Sequence, residues 1–383
     1  MNPICRREFL GAITLPAASI ALRAQTKEMT AAVIGHTDLG DYGHGLDLVF
    51  KNLPNVRVVA VADQNAAGRE KAKQRIGAER AYADYRQMLA KEKPNLVSVA
   101  PRWTVEHFEM VNAALDANAH VFCEKPFTTT LRESDQLLAL AAKKNLRIAV
   151  AHQMRMAPSV VGLRQKISDG LIGELVQMRA FGKQDARAGG EDMLVLGTHL
   201  FDLMRLFAGD ARRCSATIWS KHELAKHSDR RKVTEGIGYV LGDEIEAQFE
   251  FDRAVTGSFT SRGKLREITA RWRMELHGTK GAAMILADIE PKVLVLKAGG
   301  FDDIGRRDEW LPFEFQGDDE IGTPAANRRL AIDWLKAIHE SHDPECSGAK
   351  AAKAVEMVMA VYESHLSGKR VELPLINRDH PLS

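Results

Sequence analysis

Three side chains in this sequence have the chemistry to hold and move a proton on a hydroxyl group. Lys125 follows an apolar run and precedes a proline, so a partly desolvated ammonium there would favour a developing alkoxide. His199 offers a side chain whose pKa lies near working pH, which suits proton transfer. Asp202 shares the helix face of His199 and can bind a ligand or orient the imidazole. The structural alternatives are a surface ion pair for Lys125, a core histidine for His199 and a helix-packing acid for Asp202.

A glycine-rich turn between two apolar runs has the composition of a phosphate-binding loop. In the turn 35–45, Gly35 and Gly40 occupy the outer positions of a G-x-G-x-x-G pattern, with Thr37 at the middle one. The second apolar run ends at Asp63, where an acid can accept hydrogen bonds from a ribose. Glycines let a backbone approach a pyrophosphate closely. This order predicts the opening of a dinucleotide-binding unit, with a plain α/β turn as the alternative.

The elements that must position these residues alternate between strands and helices. Directly after the glycine-rich turn, apolar spacing predicts a helix on Leu46, Val49, Phe50 and Leu53. Further on, helices are predicted at 66–76, 84–89, 105–118 and 131–144. The strands between them are predicted at 56–62, 94–100, 120–123 and 146–151. This rhythm predicts a parallel, doubly wound sheet, whose ligands gather at the carboxyl ends of the strands.

The second half of the chain has a different pattern. Alternating apolar and polar residues predict strands of an open sheet at 176–181, 215–219, 244–251, 254–261 and 271–277. Helices are predicted at 199–207, 325–340 and 349–367. The predicted domains are 28–151 for the dinucleotide, 152–324 for substrate and oligomer contacts, and 325–383 for helices and a tail that return to the first domain.

Taken together, these motifs resemble those of the Gfo/Idh/MocA oxidoreductase family. The shared features are the glycine turn, Asp63, Pro101 with His107 six residues on, and Cys-Glu-Lys-Pro at 123–126, the most diagnostic of them. The likeness continues through 155–158, 170–174, 197–202 and 278–281. It implies an α/β plus α+β fold class. An N-terminal Rossmann dinucleotide-binding domain would be followed by an α+β domain with an open, mostly antiparallel sheet, which covers the nicotinamide and often serves in oligomer contacts.

The resemblance also implies a cofactor, NAD, and roles for the matched residues. Lys125 would hydrogen-bond the reacting oxygen, and His199 would sit over the nicotinamide and exchange the hydroxyl proton, with Asp202 beside it. The expected cofactor-binding residues are Gly35, His36, Thr37, Gly40, Asp63, Pro101, Glu124 and Lys125. The expected substrate-binding residues are Trp103, Arg155, Asp192 and His199. NADP is less favoured, because Asp63 would repel a 2′-phosphate and no arginine immediately follows it.

One position departs from the family pattern. Members that oxidise polyols usually carry an aspartate four residues before the histidine, whereas this chain has Val195 there. Glu191 and Asp192 are alternative sources of the carboxylate. His44 is expected to cap or pack the glycine turn, and no metal site is predicted because the histidines lack companions at metal-ligand spacing.

Residues 1–24 are predicted to be an export signal rather than part of the fold. Arg6 and Arg7 precede a stretch that is uncharged from Phe9 to Leu22, as in an export signal. Paired arginines followed by Phe-Leu resemble a twin-arginine signal, the route for proteins exported already folded. The apolar run is short for a bilayer span, which needs about 20 residues, and an uncleaved anchor is the alternative. A periplasmic or otherwise exported location is expected, without stable membrane insertion after signal removal.

Charge and cysteine content exclude several classes of protein. Without residues 1–24 the chain has 50 basic and 50 acidic side chains, so no basic face is implied and nucleic acid is not expected as a partner. Cys123, Cys214 and Cys346 are scattered, with no CxxC. They are expected to be buried thiols, with one disulfide left open, and a disulfide framework is excluded.

The function predicted is an NAD-dependent oxidoreductase that transfers a hydride between nicotinamide and a secondary hydroxyl of a sugar, glycoside or cyclitol. One alternative keeps NAD tightly bound and uses transient oxidation, so that the net reaction is elimination or hydrolysis. It is motivated by export, because an exported enzyme has little access to fresh NAD. A second alternative is a binding or sensing protein without turnover, which Val195 motivates. A homo-oligomer formed through the C-terminal sheet is expected.

Overall fold

The first sheet carries the amino-terminal half of the chain. The computed structural model describes residues 28–263, 272–296, 309–315 and 320–383, so the predicted export signal lies outside the described residues. The strands of this sheet are β1 (Met29–Ile34), β2 (Val56–Ala62), β3 (Arg80–Tyr82), β4 (Leu96–Val99), β5 (His120–Cys123) and β6 (Ile148–Val150). They pair in parallel in the order β3-β2-β1-β4-β5-β6. The order reverses beside β1, which confirms the doubly wound prediction.

The helices around this sheet begin at side chains that cap them. They are α1 (Ala66–Ile76), α2 (Tyr85–Glu92), α3 (His107–Asp116) and α4 (Leu131–Lys143). Asn65 accepts from the backbone of α1, Asp84 accepts from that of α2, and Thr130 forms a capping box with Glu133 at α4. These side chains satisfy backbone N–H groups that a helix leaves unpaired at its start. The predicted helix positions therefore agree closely with the structure.

The segment after the glycine-rich turn differs from the prediction. Only Leu46–Leu48 forms a short 3-10 turn, where apolar spacing predicted an α-helix. The apolar side chains of the segment are nevertheless buried, and Phe50 packs on Trp334 with ring centroids 6.3 Å apart. Asn52 and Asn55 adopt positive φ angles, which end any helix there. The helix-like spacing of these apolar residues therefore reflects their burial in a compact turn and not an α-helix.

The second sheet is mixed and mostly antiparallel. Its strands are β7 (Leu175–Phe181), β8 (Arg213–Ser220), β9 (Glu223–Leu224), β12 (Glu244–Glu250), β13 (Thr256–Arg262), β14 (Arg273–Gly278), β15 (Ala282–Leu286), β16 (Lys292–Leu296), β17 (Trp310–Pro312) and β18 (Val371–Glu372). Within the described residues these ten strands have the order β17-β16-β15-β14-β7-β13-β12-β8-β18, with β9 paired to β8. The only parallel pair among them joins β7 and β13. A separate ribbon joins β10 (Arg231–Lys232) and β11 (Tyr239–Val240). The two-part fold predicted from the sequence is confirmed.

The remaining helices join the two sheets. They are α5 (Pro158–Ser168), α6 (Gly189–Asp192), α7 (Thr198–Ala208), α8 (Thr323–Glu340) and α9 (Gly348–Ser367), with a π-helical turn at Met193–Gly197. Helix α9 contacts β8 and α7 in the second domain and α4 in the first. Helix α8 places Trp334 edge-on to Phe122, at a centroid distance of 5.8 Å. Both C-terminal helices therefore bind the domains together, as the resemblance implied.

The three described cysteines are free and buried. Burial raises the pKa of each of these thiols, Cys123, Cys214 and Cys346, so they remain protonated. They form no disulfide with one another. Among the described residues no helix could cross a membrane, and no cluster of side chains is suited to a metal ion.

Candidate active site

A cavity of about 420 Å³ opens where the carboxyl ends of β4, β5 and β6 face the second domain. The amino-terminal domain contributes polar side chains from four loops: His44, Arg102, Lys125 and Gln153. The second domain contributes polar and aromatic side chains: Lys183, Arg187, His199, Glu235, Trp272 and Asp288. Strand ends in doubly wound sheets are the usual place for ligands. The cavity therefore defines the candidate site.

Lys125 lies at the end of β5 and projects into this cavity. Its side chain is only 5% exposed, and its Nζ donates to the backbone oxygen of Val195 at 2.9 Å. Burial lowers the pKa of Lys125, against the opposing effect of Glu124. The position that lacks the family aspartate thus contributes a carbonyl that orients the lysine, and the other N–H groups of Nζ can donate to a ligand oxygen.

Glu124 is buried directly beneath the cavity wall. Its Oε1 pairs with Nδ1 of His44, whereas its Oε2 is buried without a hydrogen-bond partner among the described residues. Burial works to raise the pKa of Glu124, but His44 and then Lys125 hold it below its usual value. His44, expected only to cap or pack the turn, therefore lines the cavity and partners a buried carboxylate. A sequence signal for this role is absent, because the two residues are far apart along the chain.

His199 lies in the first turn of α7 and lines the opposite wall. It is 6% exposed, and its Nδ1 has no hydrogen-bond partner within the described part of the chain. Its ring packs edge-on against His152 and Trp272, with centroids 5.3 and 5.8 Å away. Burial, and then the charge of Lys125, lowers the pKa of His199 well below its usual value. His199 is therefore neutral at neutral pH and able to accept a proton.

Asp202 and Arg155, predicted to act in catalysis and in substrate binding, form a buried ion pair and are not among the residues that line the cavity. Arg155 donates from Nε and Nη2 to the two carboxylate oxygens of Asp202, both at 2.9 Å, and from Nη1 to Glu345. Burial acts to raise the pKa of Asp202, but Arg155 and His152 hold it low. Such a bidentate pair orients its members firmly. Both residues are placed to support the site rather than to touch a substrate.

Asp192 is also turned away from the cavity. Its carboxylate accepts hydrogen bonds from the backbone N–H groups of Lys183 and Gln184 and from the hydroxyl of Ser261. These bonds hold the loop that carries Lys183 and Arg187 to the cavity. Glu191 pairs with Arg231 at 3.2 Å. Neither acid therefore supplies the carboxylate that is missing at Val195.

Trp103 was expected to bind substrate, but it supports a loop instead. A Cβ on Gly236 would lie 2.2 Å from the Trp103 ring, and the backbone N–H of Val105 donates to the Gly236 oxygen at 3.0 Å. This packing holds the segment that brings Glu235 to the cavity. The tryptophan on the cavity wall is Trp272. Sequence reasoning missed it because a tryptophan beside a strand is usually part of a core.

Asp63, at the end of β2, binds the glycine turn through its own carboxylate and lines a small pocket beside Gly35 and His36. Its carboxylate, 2% exposed, accepts four hydrogen bonds: from Thr37 N at 3.1 Å, Thr37 Oγ1 at 2.6 Å, Tyr42 Oη at 2.8 Å and Asn65 N at 2.9 Å. The Tyr42 ring covers Gly35, where a Cβ would lie 2.0 Å from it. Asp63 therefore shapes the glycine turn through Oδ2, which accepts three of these bonds, and its direct contact with a ribose stays a prediction.

The other predicted cofactor residues tie the glycine turn to the loop after β4. His36 Nδ1 bonds Glu106 at 2.9 Å, and the backbone N–H of Arg102 donates to Gly40 at 3.0 Å. The backbone oxygen of Pro101 lies 2.7 Å from Nε2 of His107. Gly40 has φ +80°, and a Cβ there would lie 2.6 Å from the Arg102 nitrogen, so this close approach requires glycine.

The residues at the end of β5 fit a dinucleotide. A buried carboxylate oxygen without a partner is costly, and the ribose hydroxyls of NAD can donate to Oε2 of Glu124. Lys125 is next to it on the cavity wall. Glu124 and Lys125 would hold the nicotinamide end, and the glycine turn would hold the remainder.

Because Asp63 acts through the turn, we expect Tyr42→Phe to weaken both NAD binding and thermal stability. Burial and then Asp63 raise the pKa of Tyr42, so its hydroxyl stays protonated and donates. Loss of one hydrogen bond to a charged group costs about 1.5–3 kcal/mol. Calorimetry with NAD on cofactor-stripped protein measures the effect, and the matched control is Tyr82→Phe, which removes a hydroxyl bonded to Glu92 outside the turn. Equal NAD affinities for the two variants would contradict this role.

Comparison with known proteins defines the class. Two family models match: the NAD-binding Rossmann fold of the Gfo/Idh/MocA oxidoreductase family over residues 29–152, and the C-terminal alpha/beta domain of that family over residues 164–373. The chain therefore belongs to the Gfo/Idh/MocA oxidoreductase family. It is an oxidoreductase whose amino-terminal domain is an NAD-binding Rossmann fold, as the sequence predicted.

Individual relatives are distant but cover most of the chain. D-apiose dehydrogenase of Paraburkholderia graminis is 23% identical over 378 residues, covering 94% of both chains. Levoglucosan dehydrogenase of Pseudarthrobacter phenanthrenivorans is 25% identical, covering 85% of this chain and 91% of the relative. A solved structure of levoglucosan dehydrogenase with NADH and L-sorbose matches with a TM-score of 0.72 at 21% identity, covering 91% of this chain and 100% of that one. At this identity the structural match supports the fold.

Proposed function

We propose that the protein oxidises a secondary hydroxyl of a sugar, glycoside or cyclitol with NAD, or catalyses the reverse reduction. The observation that carries the proposal is the meeting of Lys125 and His199 in one cavity, although they belong to different domains. The names of the relatives support the substrate class, since they include dehydrogenases of D-apiose, levoglucosan and myo-inositol.

The two residues have complementary roles in this reaction. NAD, when bound, supplies the hydride acceptor. Nζ of Lys125 donates a hydrogen bond to the substrate oxygen and stabilises negative charge that develops on it. His199 is neutral and takes the hydroxyl proton on the nitrogen that faces the cavity. In the reverse direction the same two groups return the proton and polarise the carbonyl.

The composition of the cavity wall supports a ligand with several hydroxyl groups. Gln153 offers an amide, Glu235 and Asp288 offer carboxylates, and Arg187 offers a guanidinium that lies 3.6 Å from Glu235. Trp272 adds an apolar face beside His199. A small number of placed polar groups around an apolar surface is typical of small-molecule sites.

Two measurements test this function. First, the purified protein is denatured and the released nucleotide is identified; we expect NAD. Second, nicotinamide absorbance is followed during one turnover with a panel of glucosides and cyclitols. A lasting change with one of them supports net oxidation. A transient change that returns to its starting value indicates redox-assisted elimination or hydrolysis, and no change with any member of the panel rejects the proposal.

We propose export by the twin-arginine route as the reason for the first 24 residues. Arg6 and Arg7 stand before the uncharged stretch, as in such a signal. Changing both to lysine should abolish export and leave the longer precursor inside the cell, whereas the wild type should yield a mature amino terminus near Gln25. Fractionation with amino-terminal sequencing measures this, and Arg23→Lys is the control. Normal export of the double-lysine protein would refute the route.

We also propose a homo-oligomer formed through the second sheet. One face of β12 and β13 is buried against the domain, whereas the other presents partly exposed polar side chains: Glu246, Gln248, Ser258 and Thr260. A sheet face that is free of other elements can form a symmetric contact in which the same patch of two copies meets. Light scattering on the purified protein measures the mass in solution, and a monomeric mass would contradict the proposal.

A further inference from the structure

A second histidine, outside the predicted site residues, lies behind His199. His152 follows β6 at the start of the 3-10 turn Gln153–Met156 and is buried. Its ring lies edge-on to that of His199 at 5.3 Å. Nε2 of His152 and Nδ1 of His199 are both buried without hydrogen-bond partners among the described residues. Two unpaired nitrogens on neighbouring rings can satisfy each other through one buried water.

On its other side His152 faces a carboxylate. Its Nδ1 lies 4.0 Å from Oδ1 of Asp202. Arg155 holds both oxygens of that carboxylate, so Asp202 cannot turn away from the histidine without breaking a bidentate pair. Asp202, His152 and His199 therefore form a row that leads from a buried charge to the cavity.

We propose that His152 is a positioning residue that couples Asp202 to His199 and replaces the carboxylate which the family carries at the position of Val195. The proposal deepens the proposed function, on which it rests. Asp202 favours a proton on Nδ1 of His152, which leaves Nε2 of His152 as an acceptor. Nδ1 of His199 then donates to it through a bridging water, so that Nε2 of His199 is free of a proton and faces the substrate hydroxyl.

The row also gives the substrate proton a path in which His199 gains one proton and passes on another. When Nε2 of His199 accepts the hydroxyl proton, its Nδ1 proton can pass to Nε2 of His152. The charge then rests on the His152 imidazolium beside the Asp202 carboxylate, and His199 is neutral again. No further acid or base is needed within the protein.

The surroundings keep both rings neutral at rest. Burial lowers the pKa of His152 to about 4, with Asp202 opposing this shift and Arg155 and Lys125 adding to it. Glu124 also faces His152 and favours its charged form, and Cys346 contacts its backbone oxygen. Lys125, His152 and His44 disfavour charge on His199. A permanent positive charge on His152 or His199 would therefore be costly. A transient charge on His152 is partly compensated by the carboxylate of Asp202.

The direct test is the tautomer of His199, read from nitrogen chemical shifts of protein labelled with ¹⁵N-histidine. In the full-length protein we expect His199 to carry its proton on Nδ1. In His152→Ala this preference should be lost, and in His152→Gln it should be kept, because the glutamine oxygen can accept in place of Nε2. His120→Ala is the matched control, since His120 is half-buried and burial likewise lowers its pKa to about 4, but it lies at the start of β5.

The turnover rates of the two His152 variants should follow the same order as their effects on the His199 tautomer. We expect His152→Ala to lower kcat by about 10- to 100-fold, the range seen when the partner that orients a functional imidazole is removed, with KM little changed. His152→Gln should recover part of this loss, and the pH profile should shift in both. An unchanged His199 tautomer in His152→Ala, or equal losses in the alanine and glutamine variants without a shift in pH profile, would overturn the proposal. The tautomer is read without substrate, so it remains informative even if no sugar is oxidised.

Discussion

Replacing Lys125 by alanine is expected to slow the hydride step by about 10²–10³-fold while NAD remains bound. The ammonium lies on the cavity wall, and burial lowers its pKa, so its interaction with a developing alkoxide is poorly screened by water. A single preorganised donor to such an oxygen is typically worth about 2.7–4 kcal/mol. The effect should fall on the single-turnover rate rather than on cofactor content.

Two further variants separate this role from a loss of packing. Lys125→Met keeps much of the side-chain volume and should be as slow as the alanine variant, because only the charge and its hydrogen bonds are removed. Lys183→Ala removes a second cavity lysine, but this lysine is exposed and paired with Asp185, so we expect a smaller loss. Single-turnover absorbance measures all three. A Lys125→Ala rate equal to that of the wild type would mean that the oxygen is held elsewhere.

Replacing His199 by alanine is expected to reduce the rate by roughly 10²–10⁴-fold, the usual contribution of a general acid–base residue. Burial lowers its pKa well below the usual value, so the imidazole remains a base throughout the neutral range. The wild-type rate should therefore fall only when the pH is lowered towards that depressed pKa. The loss in His199→Ala should become smaller at high pH, where solvent can take the hydroxyl proton.

The Val195 position provides the companion experiment. Val195 lines the same cavity as His199, so Val195→Asp adds a negative charge near the imidazole and should raise its pKa. The acid limb of the pH profile should then move to higher pH. Rates measured across the pH range with one substrate check both variants. A His199→Ala loss that stays constant up to high pH would argue against proton transfer by this residue.

In the proposed reaction the two domains must meet, because Lys125 and His199 come from different domains. Lys125 is delivered by β5 of the parallel sheet, whereas His199 is delivered by α7 beneath the mixed sheet. The hydrogen bond from Nζ of Lys125 to the backbone oxygen of Val195 joins the two domains directly. Opening of the two domains would separate the oxygen-binding group from the proton acceptor.

Several features could be predicted because they depend on neighbours in the chain. The capping box at Thr130 and Glu133 sets the start of α4, and the Cys-Glu-Lys-Pro segment ends a buried strand. Such local patterns, together with alternation of strands and helices, predicted the fold class, the family, the NAD-binding domain and the oxidoreductase class, all of which are confirmed. They also predicted Lys125 and His199 as candidate catalytic residues, and the structure places both in one cavity.

Other features depend on which distant side chain a residue meets, and sequence spacing carries no such information. Arg155 and Asp202 both belong to family-like motifs, yet they satisfy each other inside the protein. Trp103 follows a strand end, but Gly236 leaves room for its ring away from the cavity. Asp63 ends β2 as predicted, and Thr37 and Tyr42 donate hydrogen bonds to its Oδ2.

By itself the sequence determined the order of elements, the two-part fold and the residues at strand ends, because backbone pairing and apolar periodicity follow from local composition. Only the tertiary structure decided which polar groups face the cavity. A buried charge must find a partner, and that partner can come from any part of the chain. Glu124 therefore meets His44, and His152 stands between Asp202 and His199. These long-range contacts place the side chains through which a proton would move in the proposed reaction.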